Sequence, residues 1–335
     1  MGKRAARSPA RARRPLRGRA ALAIVLGFAA DRALGDPSRW HPVAGFGRVA
    51  ARVERLIWRP SRVAGALYAV ALVGAVAALT VAAGRRLAPR GATTLATDGH
   101  GLPGLGRAML SATVLWTTLG GRSLERAAID LGEALATGEL DRARTLAPAL
   151  VGRDPSALGE AELARAVVES VAENTSDAVV APLLWMAALG PAGAAGYRAV
   201  NTLDAMIGHR SERYERFGWA AARLDDIANW APARLTALLV LALVSGRRHA
   251  TWQAAMVDGA RHPSPNAGRV EGAFAGALGV RLGGVNHYAH GTETRPQLGD
   301  GAPPRTSDIG RAVRLAQRVG VAAAGLAAVV SEACA

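Results

Sequence analysis

Residues 63–83 form a stretch of 21 consecutive positions without a charged side chain. An α-helix needs about 20 predominantly apolar residues to cross a hydrocarbon core of about 30 Å, and inside the bilayer the spanning element must satisfy its own backbone polar groups. The composition agrees with that environment, because 50% of the residues are hydrophobic and only 20% are charged. This stretch therefore predicts a transmembrane helix.

A second charge-free stretch covers residues 178–197, but Pro182 and Pro191 interrupt it. Proline removes a backbone donor and kinks a helix, so the stretch predicts a broken helix that packs on protein or lines a cavity. Shorter apolar runs are either spans with snorkelling ends or buried helices, and they cover residues 20–30, 108–121, 235–246 and 319–331.

No alternating strand pattern is present. The fold class is therefore predicted to be all-α: a polytopic integral membrane protein of about four to six membrane or membrane-associated helices. The charged, helically spaced residues 122–169 predict further amphipathic helices that face solvent. Residues 84–106 are rich in Gly, Thr and Pro and predict an exposed loop.

Residues 1–19 carry eight basic side chains and no acid, and so contribute over half of the net charge of +15. A basic segment just before an apolar run favours a cytoplasmic start, although arginines between the first two apolar runs leave the orientation open. We expect no nucleic-acid partner, because no aromatic residue interleaves these arginines. The tail is predicted to be disordered, and residues 20–335 to form a single domain in the cell membrane.

Lysine and cysteine chemistry are excluded by composition. Lys3 in the tail is the single lysine, which leaves no P-loop lysine and no Schiff base, and Cys334 is the single cysteine, which leaves no disulfide framework. The histidines show no zinc-ligand spacing such as HExxH, and His41 in the loop GDPSRWHPV is expected to be structural. If the chain carries out ATP chemistry, arginine, carboxylates and metal must therefore replace lysine.

Three carboxylates are spaced one helical turn apart just before the broken span. Glu169, Glu173 and Asp177 lie at i, i+4 and i+8, with Asn174 beside them. Like charges at this spacing repel, so a divalent cation or an arginine is expected to neutralise the face, and oxygen-only ligands suit Mg²⁺. The alternative is a solvated acidic face, although it would run directly into an apolar segment.

Two further sets of acids and amides have helical spacing and are surrounded by arginine. If the helices converge, carboxylates would hold Mg²⁺ on phosphoryl oxygens and arginines would clamp the anion. The alternative is a set of surface ion pairs, which contribute little. The residues in question are Asn201, Asp204, Arg210, Arg213, Arg223, Asp225, Asp226, Asn229 and Arg234.

A fourth motif, HPSPNAG at residues 262–268, places two prolines in an extended loop before a helix. Asn266 is expected to cap that helix, and Gly272 and Gly276 make a small-xxx-small face for close helix packing. A structural and a functional interpretation of this motif are equally open.

Five motifs in this order resemble the CobD/CbiB family, the adenosylcobinamide-phosphate synthases of cobalamin biosynthesis. The resemblance runs from about Ala20 to the C-terminus. The basic tail is an extension, and Arg269 stands where the family usually has tryptophan. The motifs are GDP with HPV at residues 35–43, ESVAENTSDAVVAPL, YRAVNTLDAMIGHRSERYERFG, ARLDDIANWAPARL, and HPSPNAG with AGALGVRLGG.

The resemblance implies a membrane enzyme that joins adenosylcobyric acid to (R)-1-amino-2-propanol or its O-phosphate, with ATP and Mg²⁺. It also allows a complex with other enzymes of the pathway. On this basis Glu169, Glu173, Asp177 and Asp225 are candidate catalytic residues, and Asp204 and Asp226 join the last three as metal ligands. The candidate cofactor-binding residues are Asn174, Asn201, Arg210, Arg213, Arg223, Asn229, Arg234 and Asn266.

Two other classes of protein remain open on the residues alone. Intramembrane prenyl or CDP-alcohol transferases also place Asp-rich helices around Mg²⁺, although here Asn201 and Asn229 stand where an acid would be expected. A non-catalytic membrane scaffold or transporter would line a pathway with the same polar residues.

Overall fold

The computed structural model describes residues 19–37, 41–87, 102–152, 154–209, 211–288 and 291–334. The predicted disordered tail, Arg210 and most of the predicted loop at 84–106 lie outside these residues. The described ends of that loop are helical, because one helix continues to Arg86 and the next begins at Leu102.

Helices dominate the described residues, which confirms the predicted all-α class. Helical turns of other types cover Ala147–Ala149, Ser176–Val180, Asp204–Gly208, Ala254–Asp258 and Gly259–Arg261. The α-helices are α1 (Arg19–Leu34), α2 (Pro42–Ile57), α3 (Arg62–Arg86), α4 (Leu102–Thr118), α5 (Gly121–Ala136), α6 (Leu140–Leu146), α7 (Glu160–Thr175), α8 (Ala181–Leu203), α9 (Trp219–Ala228), α10 (Trp230–Leu243), α11 (Arg248–Gln253), α12 (Ala267–Leu278) and α13 (Thr306–Cys334).

One β-hairpin was not expected from the sequence. Strands β1 (Leu282–Tyr288) and β2 (Gly291–Leu298) pair antiparallel, with Leu282 opposite Leu298 and an irregularity before Gly284. Gly283 and Gly284 both have positive φ there, so the alternation that would mark a strand is lost at its start. The hairpin is an addition to a helical fold.

Among the described residues, three helical segments are long and apolar enough to cross a membrane: Arg62–Arg86, Glu160–Gly208 and Thr306–Ala333. The pair Trp219–Ala228 and Trp230–Leu243, bent by 40°, makes a fourth when counted as one span. This number is at the low end of the predicted four to six. Helix α3 matches the predicted span at residues 63–83, and few of its apolar side chains are buried.

The segment Glu160–Gly208 is helical on both sides of Gly190 but is not straight. A straight helix would separate residues 177 and 197 by about 30 Å, yet the Tyr197 hydroxyl lies 3.1 Å from the Asp177 carbonyl oxygen. The chain reverses at Gly190, whose φ of 68° is left-handed, followed directly by Pro191. The predicted broken helix is therefore a helical hairpin.

The buried core has a large and a small part. The large part joins α1, α4, α5, α7, α8, α10, α12 and α13 through aliphatic side chains. The small part lies between α2, α3 and α9, where Tyr68 packs on Phe217 with ring centroids 5.2 Å apart and donates to the Ala50 carbonyl oxygen. The predicted close packing of α12 is confirmed, since Gly272 and Gly276 lie against the backbone of residues 250–255.

Candidate active site

The reversal at Gly190 brings four distant segments around one polar cavity of about 230 Å³. The end of α7, the end of α8, the α9–α10 junction and the loop before α12 all contribute to it. The cavity is lined by Glu173, Ser176, Asp177, Asp204, Ala222, Asp225, Asp226, Asn229, Ala233, Ser264, Asn266, Ala267 and Val270. All five predicted metal-ligand carboxylates thus line one cavity.

Asp225 is the most firmly held of these carboxylates. Its Oδ1 accepts from Asn201 Nδ2 at 3.3 Å and its Oδ2 accepts from Asn229 Nδ2 at 3.0 Å. Asn229 is only 2% exposed, and its Oδ1 lies 2.8 Å from the Tyr197 hydroxyl, which donates to it. Asp225 is thereby oriented by two amides, since hydrogen bonds to a charged acceptor are the strong ones.

The other cavity carboxylates are engaged less. Within the described part of the chain, no hydrogen bond reaches the side chains of Glu173, Asp177 or Asp204. The positive charges near these groups are Arg295 of β2 for Glu173 and Arg198 of α8 for Asp177. These oxygens therefore remain available to a ligand in the cavity.

The donor set fits a magnesium–phosphate complex better than a protein-only metal cage. Among the described residues, no group of three or more His, Cys, Asp or Glu side chains is placed to hold a metal ion. Mg²⁺ in nucleotide enzymes usually takes one or two carboxylates and fills the remaining positions with water and phosphate oxygens. A cavity lined by separate carboxylates meets that requirement.

The predicted arginines lie at different distances from the cavity. Arg234 is at its rim: it donates to Asn266 Oδ1 at 2.9 Å and its guanidinium stands 4.5 Å from the Trp230 ring centroid. Arg223 pairs with Asp226 at 3.2 Å and is largely exposed, as the ion-pair alternative predicts. Arg210 is outside the described residues.

Arg213 is placed away from the cavity lining. It forms an ion pair with the buried Glu54 of α2 at 2.9 Å and stacks on Trp58 at 4.7 Å. The hydrogen bond from Arg213 to Glu54 raises the pKa of the guanidinium. Its partner is far away in sequence, so helical spacing near Arg213 did not reveal it.

Two residues of the first acidic motif also lie outside the cavity lining. Glu169 accepts a hydrogen bond from the Gly283 backbone N–H at 2.9 Å and lies 3.9 Å from Arg165. Asn174 donates to the Ser170 carbonyl oxygen at 3.0 Å. Glu169 thus ties the β-hairpin to α7.

Ser264 organises the loop before α12, and the prediction that the Asn266 side chain caps this helix is wrong. Ser264 Oγ accepts from the backbone N–H groups of Asn266 and Ala267 at 3.3 and 3.1 Å. The Asn266 side chain instead donates to the Asp226 carbonyl oxygen at 2.8 Å, while accepting from Arg234. It connects two segments of the site.

Two other sequence features have structural roles. His41 Nδ1 accepts from the Val43 backbone N–H at 3.1 Å and caps α2, as expected for a lone histidine in a turn. Arg269 donates to the carbonyl oxygens of Ala255 and Met256 at 3.2 and 2.6 Å. It therefore closes a wide helical turn and is not part of the cavity lining.

Tyr197, Ser264 and Arg198 were missed by sequence reasoning. Tyr197 lies at the end of an apolar run, and only the chain reversal brings its hydroxyl to Asn229. Arg198 begins the motif RAVNTLDAM, three residues before Asn201, and donates to that amide at 3.3 Å. The i, i+3 spacing of Arg198 and Asn201 was the available signal.

The profile of the CobD/Cbib protein family matches residues 24–316. Three similar proteins are each called cobalamin biosynthesis protein CobD. The one from Mycobacterium tuberculosis H37Rv is 50% identical over 92% of this chain and 94% of its own length. The one from Chromobacterium violaceum is 45% identical over 89% and 92%, and the one from Rhodobacter capsulatus is 40% identical over 92% and 96%.

No solved structure matches this chain. The family profile covers most of the chain, and the three relatives are 40–50% identical over nearly their full lengths. The motifs that carry the resemblance contribute the residues that converge on the acidic cavity. The chain therefore belongs to the CobD/Cbib family.

Proposed function

We propose that this protein is an adenosylcobinamide-phosphate synthase of cobalamin biosynthesis. It would join the free carboxylate of adenosylcobyric acid to (R)-1-amino-2-propanol or its O-phosphate in an ATP-dependent reaction. Family membership and the names of the relatives support the pathway. The observation that carries the site assignment is the convergence of Asp177, Asp204 and Asp225 on one cavity beside arginines.

Amide formation from a carboxylate and an amine requires activation of the acid. Transfer of the γ-phosphoryl group of ATP to the corrinoid carboxylate gives an acyl phosphate and ADP. The amine nitrogen then attacks the carbonyl carbon, the C–N bond forms, and the bond to the phosphate oxygen breaks to release phosphate. The ammonium form of the amine must lose its proton before the attack.

The cavity side chains divide into fixed and available groups for this chemistry. Asp225, oriented by Asn201 and Asn229, suits a fixed ligand position. Asp177 and Asp204 have no hydrogen bond from other described residues, so either one suits the role of proton acceptor or second ligand. Bound Mg²⁺ would neutralise the charge that develops on the transferring phosphoryl group.

Arginine has to replace the lysine that many ATP-dependent enzymes use. Arg234 at the cavity rim, fixed by Asn266 and Trp230, is the best placed of the predicted set to clamp a phosphate. Because ATP is cytoplasmic, the cavity is proposed to open to the cytoplasmic side of the cell membrane. The amides at positions 201 and 229 disfavour an intramembrane transferase, because they donate to Asp225 where such a site needs acids.

The test is a turnover assay on the purified full chain in nanodiscs with ATP, Mg²⁺, the corrinoid acid and the aminoalcohol. ADP release that requires both co-substrates, together with the amide product, is expected. Asp177→Asn and Asp225→Asn should abolish it. Asp130→Asn, on the exposed face of α5, is the matched control and should retain full activity.

ADP release without amide product, or amide formation in the Asp225→Asn variant at near-normal rate, would contradict the proposal. Replacement of the corrinoid acid by a prenyl diphosphate or CDP-alcohol separates the transferase alternative, which predicts pyrophosphate or CMP instead of ADP.

A further inference from the structure

A second cavity, of about 320 Å³, lies beside the acidic one between α2, α3, α4 and α8. Its walls are aliphatic, aromatic and threonine side chains, and Arg198 is the one ionisable group among the described residues that line it. None of the lining residues belongs to the acidic cavity. The proposed reaction makes no use of this space.

The threonines do not make the second cavity polar. Four of the five lining threonines donate the hydroxyl hydrogen to a carbonyl oxygen of their own helix, among them Thr80 to Val76 at 2.8 Å and Thr202 to Arg198 at 2.7 Å. Thr117 and Thr118 do the same on α4. A nucleoside or sugar carries several hydroxyls, and these walls offer it few free donors, which is costly for a buried polar group. The cavity suits a hydrocarbon chain.

Arg198 gives the cavity one polar end. One of its terminal nitrogens donates to Asn201 Oδ1 at 3.3 Å, while its Nε is buried and makes no hydrogen bond with any described residue. A guanidinium carries five N–H donors, and Asn201 takes one of them. The remaining terminal N–H groups can donate to an anion that enters the cavity, next to the Asp177 carboxylate that Arg198 also faces. An apolar cavity that ends at an arginine is complementary to an anionic amphiphile.

The cavity lies beside the part of α3 that is not buried in the bundle. The buried residues of α3, Gly65, Tyr68 and Ala69, all lie in its first third, and no residue from position 71 to its end is buried. Val76 and Thr80 of this partly buried region line the cavity, and so does Thr113 of α4, which is exposed. Since α3 is long and apolar enough to cross the membrane, bilayer lipid faces this gap.

We infer that this cavity binds one acyl chain of an anionic phospholipid, with the phosphate group at Arg198. The headgroup end then lies next to Asn201, which donates to Asp225 in the acidic cavity. The inference does not depend on the proposed reaction, because it rests on the shape of the helix bundle and on Arg198.

The experiment is photo-crosslinking of the full-length protein in phosphatidylcholine nanodiscs, with a trace of phosphatidylglycerol that carries an acyl-chain diazirine. Peptide mapping by mass spectrometry should place crosslinks at residues 76–80 and 113–117. Unlabelled phosphatidylglycerol should compete about tenfold better than phosphatidylcholine, because the choline cation of phosphatidylcholine offsets the phosphate charge at Arg198. Arg198→Gln should remove that preference.

Thr113→Trp fills the cavity mouth and should abolish these crosslinks. Met109→Trp, one turn earlier on the exposed face of α4 and not a lining residue, is the matched control and should keep them. Crosslinks spread evenly along exposed positions of α3, or equal competition by both lipids in the wild-type protein, would overturn the inference. Displacement of the label by the corrinoid acid would also overturn it in favour of a substrate channel.

Discussion

Asn229 donates its side-chain amide to Asp225 at 3.0 Å, at the residue where α9 ends and α10 begins with a bend of 40°. The bend turns the Asn229 side chain into the bundle, where the Tyr197 hydroxyl donates to its oxygen at 2.8 Å. The break between α9 and α10 thus positions the Asn229 amide as a fixed donor to the Asp225 carboxylate.

Asn229→Ala should lower the turnover number about 10- to 100-fold while membrane insertion is retained. The substitution removes one of the two amides that orient Asp225, and a hydrogen bond to a charged group contributes roughly 1.5–3 kcal/mol. Measurement of kcat in nanodiscs checks this. Asn201→Ala removes the other amide and should give a similar loss, whereas unchanged kcat in both variants would show that Asp225 needs no orientation.

Gly208→Ala should inactivate the enzyme although it adds a single methyl group. A Cβ at this position would lie 1.8 Å from Asp204 Oδ1, so the carboxylate has to move out of its place in the cavity wall. Gly196→Ala on the same helical segment is the matched control, because no atom lies within 4 Å of its added Cβ. Activity and the thermal midpoint of both variants are compared; equal activity would place Asp204 outside the reaction.

Substitutions of Arg213 and Arg234 should affect different properties, because Arg213 has a structural role and Arg234 a binding role. Arg213→Gln leaves the buried Glu54 with Tyr214 as its remaining hydrogen-bond donor, so the thermal midpoint should fall while the KM for ATP stays unchanged. Arg234→Gln should raise the KM for ATP with little change in midpoint. If Arg213→Gln instead raised the KM for ATP and Arg234→Gln lowered the thermal midpoint, Arg213 would belong to the binding site, as the sequence predicted.

The Asp225–Asn229 contact was predictable from the sequence because both residues lie on one helix, and local spacing determines which side chains meet. The apolar and proline pattern likewise predicted the break in α8. This pattern did not predict that the chain reverses at Gly190, because the reversal depends on one left-handed residue. The reversal brings Asp177 beside Tyr197. The Glu54–Arg213 pair joins residues 159 positions apart and follows only from packing.

The order of the motifs therefore predicted which segments form the cavity better than it predicted the individual contacts within it. The helices that carry the three acid and amide sets do converge, as the sequence predicted if they formed one site. Asp31 shows the limit of that reasoning. It lies in α1, outside the candidate spans, and is buried at 1% exposure, although no sequence motif marks it as a buried carboxylate.

Asp31→Asn should stabilise the protein in a pH-dependent way. Burial, together with the nearby Asp36 charge, raises the pKa of Asp31 from 3.8 to about 6. A raised folded-state pKa means that the folded protein holds a proton that the unfolded chain loses, so wild-type stability falls as pH rises from about 4 to about 6. The asparagine carries no such penalty.

The thermal midpoints of wild type and Asp31→Asn should therefore coincide near pH 4 and separate up to about pH 6. Above about pH 6 the free energies of unfolding of the two proteins should differ by a constant amount of about 2–3 kcal/mol. Asp130→Asn on the exposed face of α5 is the control and should follow the wild-type curve. A separation that persists below pH 4 would mean that packing of the amide, rather than loss of a buried charge, causes the stabilisation.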